Sequence, residues 1–424
     1  MKIRQQLAAI RGRGRWLGVT FLAAVAVVLA PRLFAVAPGN PEIAVGRLPR
    51  LVAIDQQHSV AVVVSTGDTT ATLIDLSRTV RLGTVAIGPG PRAVAIDSRQ
   101  GLAYVLSTAD PSQCRRPDSI AVIDMRRVRL LRTVPISPCA TGIALDAAGH
   151  LFVADVPTNR VTIYTARTGA KVRGVVTGDS GESLLLLERD PQSGRLLAIL
   201  HRAPAPGGAV TGEIALLDPA AMRVLARVGG FPWQTFETDA ARGRVFSPPA
   251  TGGGRIPWVN LATGRHGQAP VSALASDIWY RDDATSAVRV LRPTADGQRS
   301  AIIDPLTGRT LALLQTPRVS AVVSHDPVTG RYLVLSSDRQ TAGQSQLMVI
   351  DGRSGLPVRT LGTVSTRYPV AADWQAGIAI GIAPEPDPSG WWRLPGTNIR
   401  IPVPFRAPQP SAGRAILFNG LSDR

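Results

Sequence analysis

The stretch VAIDSRQGLAYVLS (residues 94–107), followed by SIAVIDMRRVRLLRTVPI (119–136), decides the fold of this chain. Its short apolar runs are separated by Asp, Gly and basic residues, which indicates a strand, a tight turn, a strand, a longer loop and a second hairpin. The same order returns in VAIDQQHSVAVVVS (52–65) and in VVSHDPVTGRYLVLS (322–336). Such internal self-similarity is the mark of a repeat architecture.

An Asp at the end of each first strand sets the period of the repeat. Asp starts tight turns through side-chain hydrogen bonds to the following amides, so its recurrence is structural and does not indicate calcium sites. The mean spacing is about 45 residues, the size of a four-stranded propeller blade. The series comprises Asp55, Asp97, Asp146, Asp190, Asp239, Asp283, Asp326 and Asp373.

These units predict an all-β fold, a β-propeller of four-stranded blades over residues 41–405. We favour eight blades, with the segment PEIAVGRL (41–48) supplying the outer strand of the last one. The alternative is seven blades with a C-terminal appendage. Residues 406–424 are assigned to a C-terminal tail outside the propeller.

The N-terminus predicts one hydrophobic helix before the propeller. Residues 1–15 are basic and should lie in the cytoplasm, and residues 16–37 are long and apolar enough to span a membrane. We expect a single-pass anchor, because Pro38 follows the small-x-small site at 35–37, where it would block cleavage. The alternative is a cleaved signal peptide, which would leave a secreted or periplasmic protein. Both interpretations place the propeller outside the cytoplasm.

The two cysteines agree with an extracytoplasmic compartment. Cys114 and Cys139 are an even pair, and the predicted topology places both on the same face of neighbouring blades. We predict a disulfide between them, with two free buried thiols as the alternative.

The net charge of +17 does not indicate nucleic-acid binding. Six basic residues lie in the first 37 positions, which leaves about +11 for the rest of the chain. Those remaining basic residues are interspersed with acids, and no basic stripe with interleaved aromatic residues is present.

The repeat units resemble the YVTN-type propeller repeat of bacterial and archaeal surface and periplasmic proteins. The resemblance lies in AYVLS followed by IAVIDMRRVRLLRTVPI, and in GPGPRAVAID leading into a strand. It covers residues 41–383, although Leu106 and Ser107 replace the Thr-Asn of the family motif. The resemblance implies a fold, and the partners of such propellers vary, so it implies no particular function.

No catalytic or metal-binding constellation stands out in the sequence. None of the five histidines has a partner at metal-ligand spacing, no nucleophile motif is visible, and no cofactor is predicted. The candidate ligand-binding residues lie where first strands begin: Arg50, Arg92, Trp233 and Arg367. Three arginines from consecutive blades would favour a carboxylate or phosphate, although solvated rim arginines in an Arg-rich protein would give the same pattern.

We therefore expect a membrane-tethered propeller that binds a protein or an anionic cell-envelope ligand without chemistry. The main alternative is a lactonase-like propeller hydrolase with a metal at the channel mouth, where Asp277 is the acid that the pattern places. A redox partner using a bound quinone cofactor is a third hypothesis, and it lacks a paired-Cys or haem signature.

Overall fold

The computed structural model describes residues 40–421, with gaps at 110–113, 147, 156–157, 179–181, 190–194, 203–210, 233–236, 248–253, 264, 275, 283–284, 286, 317, 338–343, 366–368, 384–390, 394–399, 403–412 and 420. Within these residues, 32 strands form eight four-stranded antiparallel sheets, so the prediction of eight blades is confirmed.

The first four blades each follow the chain from the inner strand to the outer one. Their strands are β2 (Pro49–Asp55), β3 (Val60–Ser65), β4 (Thr70–Asp75) and β5 (Val80–Ala86); β6 (Pro91–Asp97), β7 (Leu102–Ser107), β8 (Asp118–Asp124) and β9 (Arg129–Ile136); β10 (Ala140–Leu145), β11 (His150–Asp155), β12 (Arg160–Thr165) and β13 (Lys171–Val176); and β14 (Glu182–Arg189), β15 (Leu196–Arg202), β16 (Thr211–Asp218) and β17 (Arg223–Pro232).

Blades 5 to 7 repeat this order. Their strands are β18 (Glu237–Asp239), β19 (Arg244–Phe246), β20 (Arg255–Asn260) and β21 (His266–Ser272); β22 (Ile278–Asp282), β23 (Ala287–Pro293), β24 (Ser300–Ile303) and β25 (Thr310–Leu314); and β26 (Val319–Asp326), β27 (Arg331–Ser337), β28 (Gln344–Asp351) and β29 (Pro357–Ser365).

Blade 8 is assembled from both ends of the chain. Its strands, from inside to outside, are β30 (Val370–Asp373), β31 (Ile378–Ala383), β34 (Arg414–Asn419) and β1 (Glu42–Ala44). Ile43 lies opposite Ala415 across the β1–β34 pair, and Arg414 Nη1 lies 2.8 Å from Glu42 Oε2. The predicted exchange of an N-terminal strand is therefore present, and it closes the ring.

The third strand of blade 8 comes from the segment that the sequence had assigned to a tail over 406–424. About thirty residues separate β31 from β34, and they contain a separate hairpin, β32 (Trp391–Arg393) with β33 (Arg400–Pro402). This insertion breaks the period, which explains why β34 was not recognised.

The fold class needs one correction. The predicted fold included an N-terminal helix, whereas the described residues contain no α-helix; their one helical element is the 3-10 turn Ala240–Arg242. The segment 16–37 that prompted the prediction lies outside the described residues. Within those residues, no helix is both long and apolar enough to cross a membrane.

The core lies between neighbouring blades. In β3, Val62 and Val64 pack against blade 2, whereas Ala61 and Val63 pack against blade 8. Because successive side chains of a strand point to opposite faces, a strand covered on both faces is apolar without interruption. All four residues are fully buried, which explains the continuous run that the sequence shows there.

Candidate functional site

The candidate site lies on the propeller face where first strands begin and where the second and third strands are joined. Blades 1 and 2 begin with closely similar sequences, PRLVAID (49–55) and PRAVAID (91–97). In each, the strand pairing shifts register across the second residue, Arg50 in blade 1 and Arg92 in blade 2. A β-bulge at this point bends the strand and redirects the side chain.

Arg50 and Arg92 are both exposed, and the two strands that carry them, β2 and β6, are in contact. Neither side chain forms a hydrogen bond or an ion pair with another described residue. The same bulge position holds Thr141 in blade 3 and Ser320 in blade 7, and both hydroxyls donate to backbone carbonyls, Leu184 O at 3.4 Å and Leu335 O at 3.2 Å. The bulge is thus a shared feature of these blades, and arginine occupies it in two that are adjacent.

A buried acid lies near Arg92. Asp118, the first residue of β8, is 1% exposed and accepts hydrogen bonds from the backbone N–H groups of Ala140 (2.8 Å) and Ala109 (3.0 Å). Burial raises the pKa of this carboxyl, while the two N–H groups, the Thr108 hydroxyl and the charge of Arg92 act in the opposite direction. Because its oxygens accept hydrogen bonds from the backbone, Asp118 fixes the start of blade 3, and it interacts with Arg92 through charge without a hydrogen bond between them.

The predicted disulfide is confirmed. Cys114, in the loop between β7 and β8, is bonded to Cys139, directly before β10, with the two Cα atoms 5.2 Å apart. Both cysteines have left-handed backbone conformations, with φ of +53° and +56°, which are uncommon for residues other than glycine. The crosslink therefore ties the long loop of blade 2 to the start of blade 3, beside Asp118.

Two predicted site residues, Trp233 and Arg367, lie outside the described residues. Asp277, the acid expected at the channel mouth, has a fully buried side chain that forms a two-point ion pair with Arg292, at 2.8 Å (Nε) and 2.7 Å (Nη2). It also accepts a hydrogen bond from Leu274 N at 2.8 Å. This carboxylate is fully engaged within the protein.

The opposite face carries the turn acids, and three histidines lie beside them. His58 Nδ1 lies 2.8 Å from Asp55, His150 Nδ1 lies 2.9 Å from Asp146, and His325 Nδ1 lies 3.1 Å from Asp282. Asp55 and Asp146 also accept backbone N–H groups of their own turns, as expected for structural turn residues. Among the described residues, no group of three or more His, Cys, Asp or Glu side chains could hold a metal ion.

Contacts between blades were missed by sequence reasoning. His325 on β26 bonds to Asp282 at the end of β22, and the two residues are 43 positions apart, about one repeat. Arg242 in blade 5 reaches Asp239 in its own turn at 2.9 Å and Asp304 in blade 6 at 2.5 Å. For His325 and Asp282 the available signal was the period itself, whereas Arg242 and Asp304 are 62 positions apart and follow no repeat spacing.

Comparisons with known proteins show a similarity in fold and do not indicate a function. No protein-family model matches the sequence, and no curated protein matches it. Among solved structures, hydrazine synthase of Kuenenia stuttgartiensis is 16% identical, with a TM-score of 0.50 over 71% of this chain and 96% of that one. Dihydro-heme d1 dehydrogenase NirN, solved in complex with DHE, is 15% identical, with a TM-score of 0.55 over 85% of this chain and 79% of that one. At such identities the chain is similar to these proteins in its β-propeller fold.

Proposed function

We propose that this chain is an extracytoplasmic β-propeller that binds an anionic ligand, a protein or a cell-envelope component, on the face that carries Arg50 and Arg92. The observation that carries the proposal is the placement of two exposed arginines at equivalent bulges of adjacent blades. A guanidinium presents several N–H donors in a plane, which suits carboxylate and phosphate groups.

The charge of this part of the face supports an anionic ligand. The acid nearest in effect to Arg92 is Asp118, which is buried and hydrogen-bonded to two backbone amides. Asp118 forms no hydrogen bond with Arg92, so the exposed guanidinium keeps its N–H donors available to an anion in solution. A small polar residue at the same position, such as Thr141 or Ser320, bonds to the backbone, so arginine is not required there to build the blade.

The Cys114–Cys139 disulfide supports a location outside the cytoplasm, because such crosslinks persist in oxidising compartments. It also supports a binding role for this face. The crosslink restrains the loop between β7 and β8 and so reduces the conformational entropy that a ligand contacting that loop would have to remove.

The hydrolase alternative is less well supported. It requires free acidic or histidine side chains at the channel mouth, and Asp277 is held there by Arg292 and by a backbone amide. A residue so engaged would have to break an ion pair to coordinate a metal.

The test is affinity capture from the cell-envelope fraction of the source organism, with the wild-type chain and with the Arg50→Ala/Arg92→Ala variant. The matched control is Arg99→Ala/Arg353→Ala, which removes two exposed arginines from the opposite face. We expect an acidic partner that is retained by the wild type and the control and lost with the variant. Equal capture by all three chains would overturn the site, and turnover of a lactone by the purified protein would overturn the function.

A further inference from the structure

A second basic surface lies on the outer rim of blades 1 to 3. It consists of the three outer strands with the turns that precede them, residues 76–86, 125–136 and 166–176, and we refer to it as the outer basic surface. These segments contain no acidic residue and no aromatic residue. Their basic residues, all exposed except Arg132, are Arg78, Arg81, Arg126, Arg127, Arg129, Arg132, Arg167, Lys171 and Arg173.

Few of these charges are neutralised within the protein. Arg127 is paired at 3.0 Å with Asp124, and Arg78 lies 3.8 Å from Asp75; both acids end the preceding strands. Even so, the side chains of Arg78 and Arg127 stay 79% and 69% exposed. By contrast, the corresponding outer hairpin of blade 6 carries one basic residue, Arg309. That of blade 7 carries two, Arg353 and Arg359.

Aliphatic side chains are exposed between these charges. Six of them lie on the outer basic surface with exposures of 38–52%: Val80, Leu82, Leu130, Leu131, Val172 and Val176. Leu313, Leu356 and Val358 are similarly exposed on the outer hairpins of blades 6 and 7, so blades 1 to 3 are distinguished by the combination of exposed aliphatic residues with a high basic charge.

The three segments form a continuous surface. A Cβ added to Gly83 in blade 1 would lie 2.8 Å from Val128 in blade 2, and one added to Gly169 in blade 3 would lie 2.6 Å from Val134 in blade 2. The turn of blade 2 therefore lies against the outer strand of blade 1, and the turn of blade 3 lies against the outer strand of blade 2. Arg173 in turn donates to the carbonyl of Ala220 in blade 4, which continues the contact around the rim.

We propose that the outer basic surface docks onto an anionic lipid bilayer. Arginines bind lipid phosphates, and aliphatic side chains between them enter the boundary between headgroups and acyl chains. A lipid surface fits better than a protein, because the basic residues are spread over three blades without an acid among them, as the phosphates of a bilayer are spread, whereas a protein interface centres on a few buried anchors. This surface is distinct from the face of Arg50 and Arg92, so either proposal can fail alone.

The test is co-sedimentation with vesicles of phosphatidylcholine, with and without phosphatidylglycerol. The assay uses the full chain and also the chain from Asn40 onward. The shorter chain holds all 32 blade strands in one compact unit, Pro41–Arg424, and removes the apolar segment 16–37 as a source of vesicle binding. The variant is Arg126→Gln/Arg129→Gln/Lys171→Gln, and the matched control is Arg309→Gln/Arg353→Gln/Arg359→Gln.

We expect the shorter chain to bind vesicles that contain phosphatidylglycerol and to be released by high salt. The triple variant should bind at least about tenfold more weakly, because each basic residue near an anionic bilayer adds to the affinity. Leu131→Thr/Val172→Thr should also weaken binding, while the control triple should bind as the wild type does. The proposal is overturned if the shorter chain ignores phosphatidylglycerol, if the two triple variants bind alike, or if the surface captures an acidic protein and no vesicles. Circular dichroism of each variant checks that it is folded.

Discussion

Asp118 at the start of β8 in blade 2 holds the backbone N–H of Ala140 at the start of β10 in blade 3, at 2.8 Å. The same carboxylate accepts from Ala109, so one side chain satisfies two backbone donors. Asp118→Ala should therefore lower the free energy of unfolding by about 1–3 kcal/mol, the cost of leaving buried donors unsatisfied. Urea titration measures this change. Asp118→Asn, which keeps one acceptor oxygen, should lose less, and an alanine variant as stable as the wild type would contradict the role assigned to Asp118.

The disulfide predicts a redox-dependent stability. Cys114→Ser/Cys139→Ser should unfold at lower urea concentration, with a loss of about 3–4 kcal/mol from the loop-closure entropy of a 25-residue separation. Dithiothreitol should shift the wild type by a similar amount and leave the variant unchanged. If dithiothreitol does not shift the urea unfolding transition of the wild type, the crosslink does not stabilise the protein by restricting the unfolded chain.

Tyr104 predicts an alkaline effect. Its side chain is fully buried, its hydroxyl has no hydrogen-bond partner among the described residues, and burial, with a contribution from the charge of Asp97, raises its pKa to about 12. Tyr104→Phe should leave stability at neutral pH unchanged or raise it by up to about 1 kcal/mol, since it removes an unsatisfied donor.

The pH dependence follows from the direction of that shift. In the unfolded chain a tyrosine ionises near pH 10, so the folded protein loses stability as the pH rises from about 10 towards the folded value. The advantage of Tyr104→Phe should thus grow above pH 10, as measured by urea titrations across that range. A constant difference between the two proteins would contradict the raised pKa.

Asp282 predicts an acid effect. Burial acts to raise the pKa of this carboxyl, but hydrogen bonds from His325 and Thr285 and the charge of His325 outweigh it, so the pKa is lowered. The stabilisation is complete well above the unfolded value of about 3.9 and is lost as the pH falls through the folded value.

Asp282→Asn should therefore be less stable than the wild type at neutral pH by about 1–3 kcal/mol, and this difference should shrink below pH 4. Asp75→Asn is the control, because its partner Arg78 is largely exposed and the pair should contribute little. Thermal unfolding from pH 3 to 7 measures both variants. An equal pH dependence in wild type and Asp282→Asn would contradict the stabilising interaction of Asp282 with His325.

Ring closure predicts that the last strand is indispensable. Ending the chain at residue 412 removes β34, which pairs with β31 on one side and β1 on the other. The exposed edges should cause aggregation, visible by size-exclusion chromatography. Glu42→Ala, which removes only the exposed ion pair with Arg414, should cost less than about 1 kcal/mol. A monomeric, cooperatively unfolding truncated chain would contradict this account.

The blade repeat could be predicted because the inner strands are buried between neighbouring blades on both faces. Their side chains are therefore apolar in uninterrupted runs, which can be read directly from the sequence. Asp55, Asp97 and Asp326 end their first strands as expected. In blade 6, β22 instead ends at Asp282, one residue before the predicted Asp283, because two consecutive acids offered no local basis for choosing between them. The third strand of blade 8, β34, was missed because the segment between β31 and β34 is much longer than the corresponding loop in the other blades.

The places of Arg50 and Arg92 in the fold were predictable, whereas the local backbone geometry around them was not. Counting back from the turn acids Asp55 and Asp97 placed Arg50 and Arg92 at strand starts, where β2 and β6 carry them as their second residues. The bulge that redirects them depends on strand pairing, which a single strand does not reveal. The bonds of Asp118 to Ala140 and of His325 to Asp282 join different blades, so their geometry depends on how the sheets pack.

The exchange of β1 in blade 8 imposes an order on biogenesis. Glu42 and Arg414 form an ion pair although they are 372 positions apart. The strand β1 is therefore synthesised long before β34, the strand with which it pairs. During synthesis the nascent chain forms an incomplete ring, with apolar blade faces exposed at both ends. A chain in that state is exposed to proteases and to self-association until β34 arrives. Formation of the closed ring should thus be limited by the arrival of β34, and a factor that shields the open blade faces would raise the yield more than one that speeds the folding of single blades.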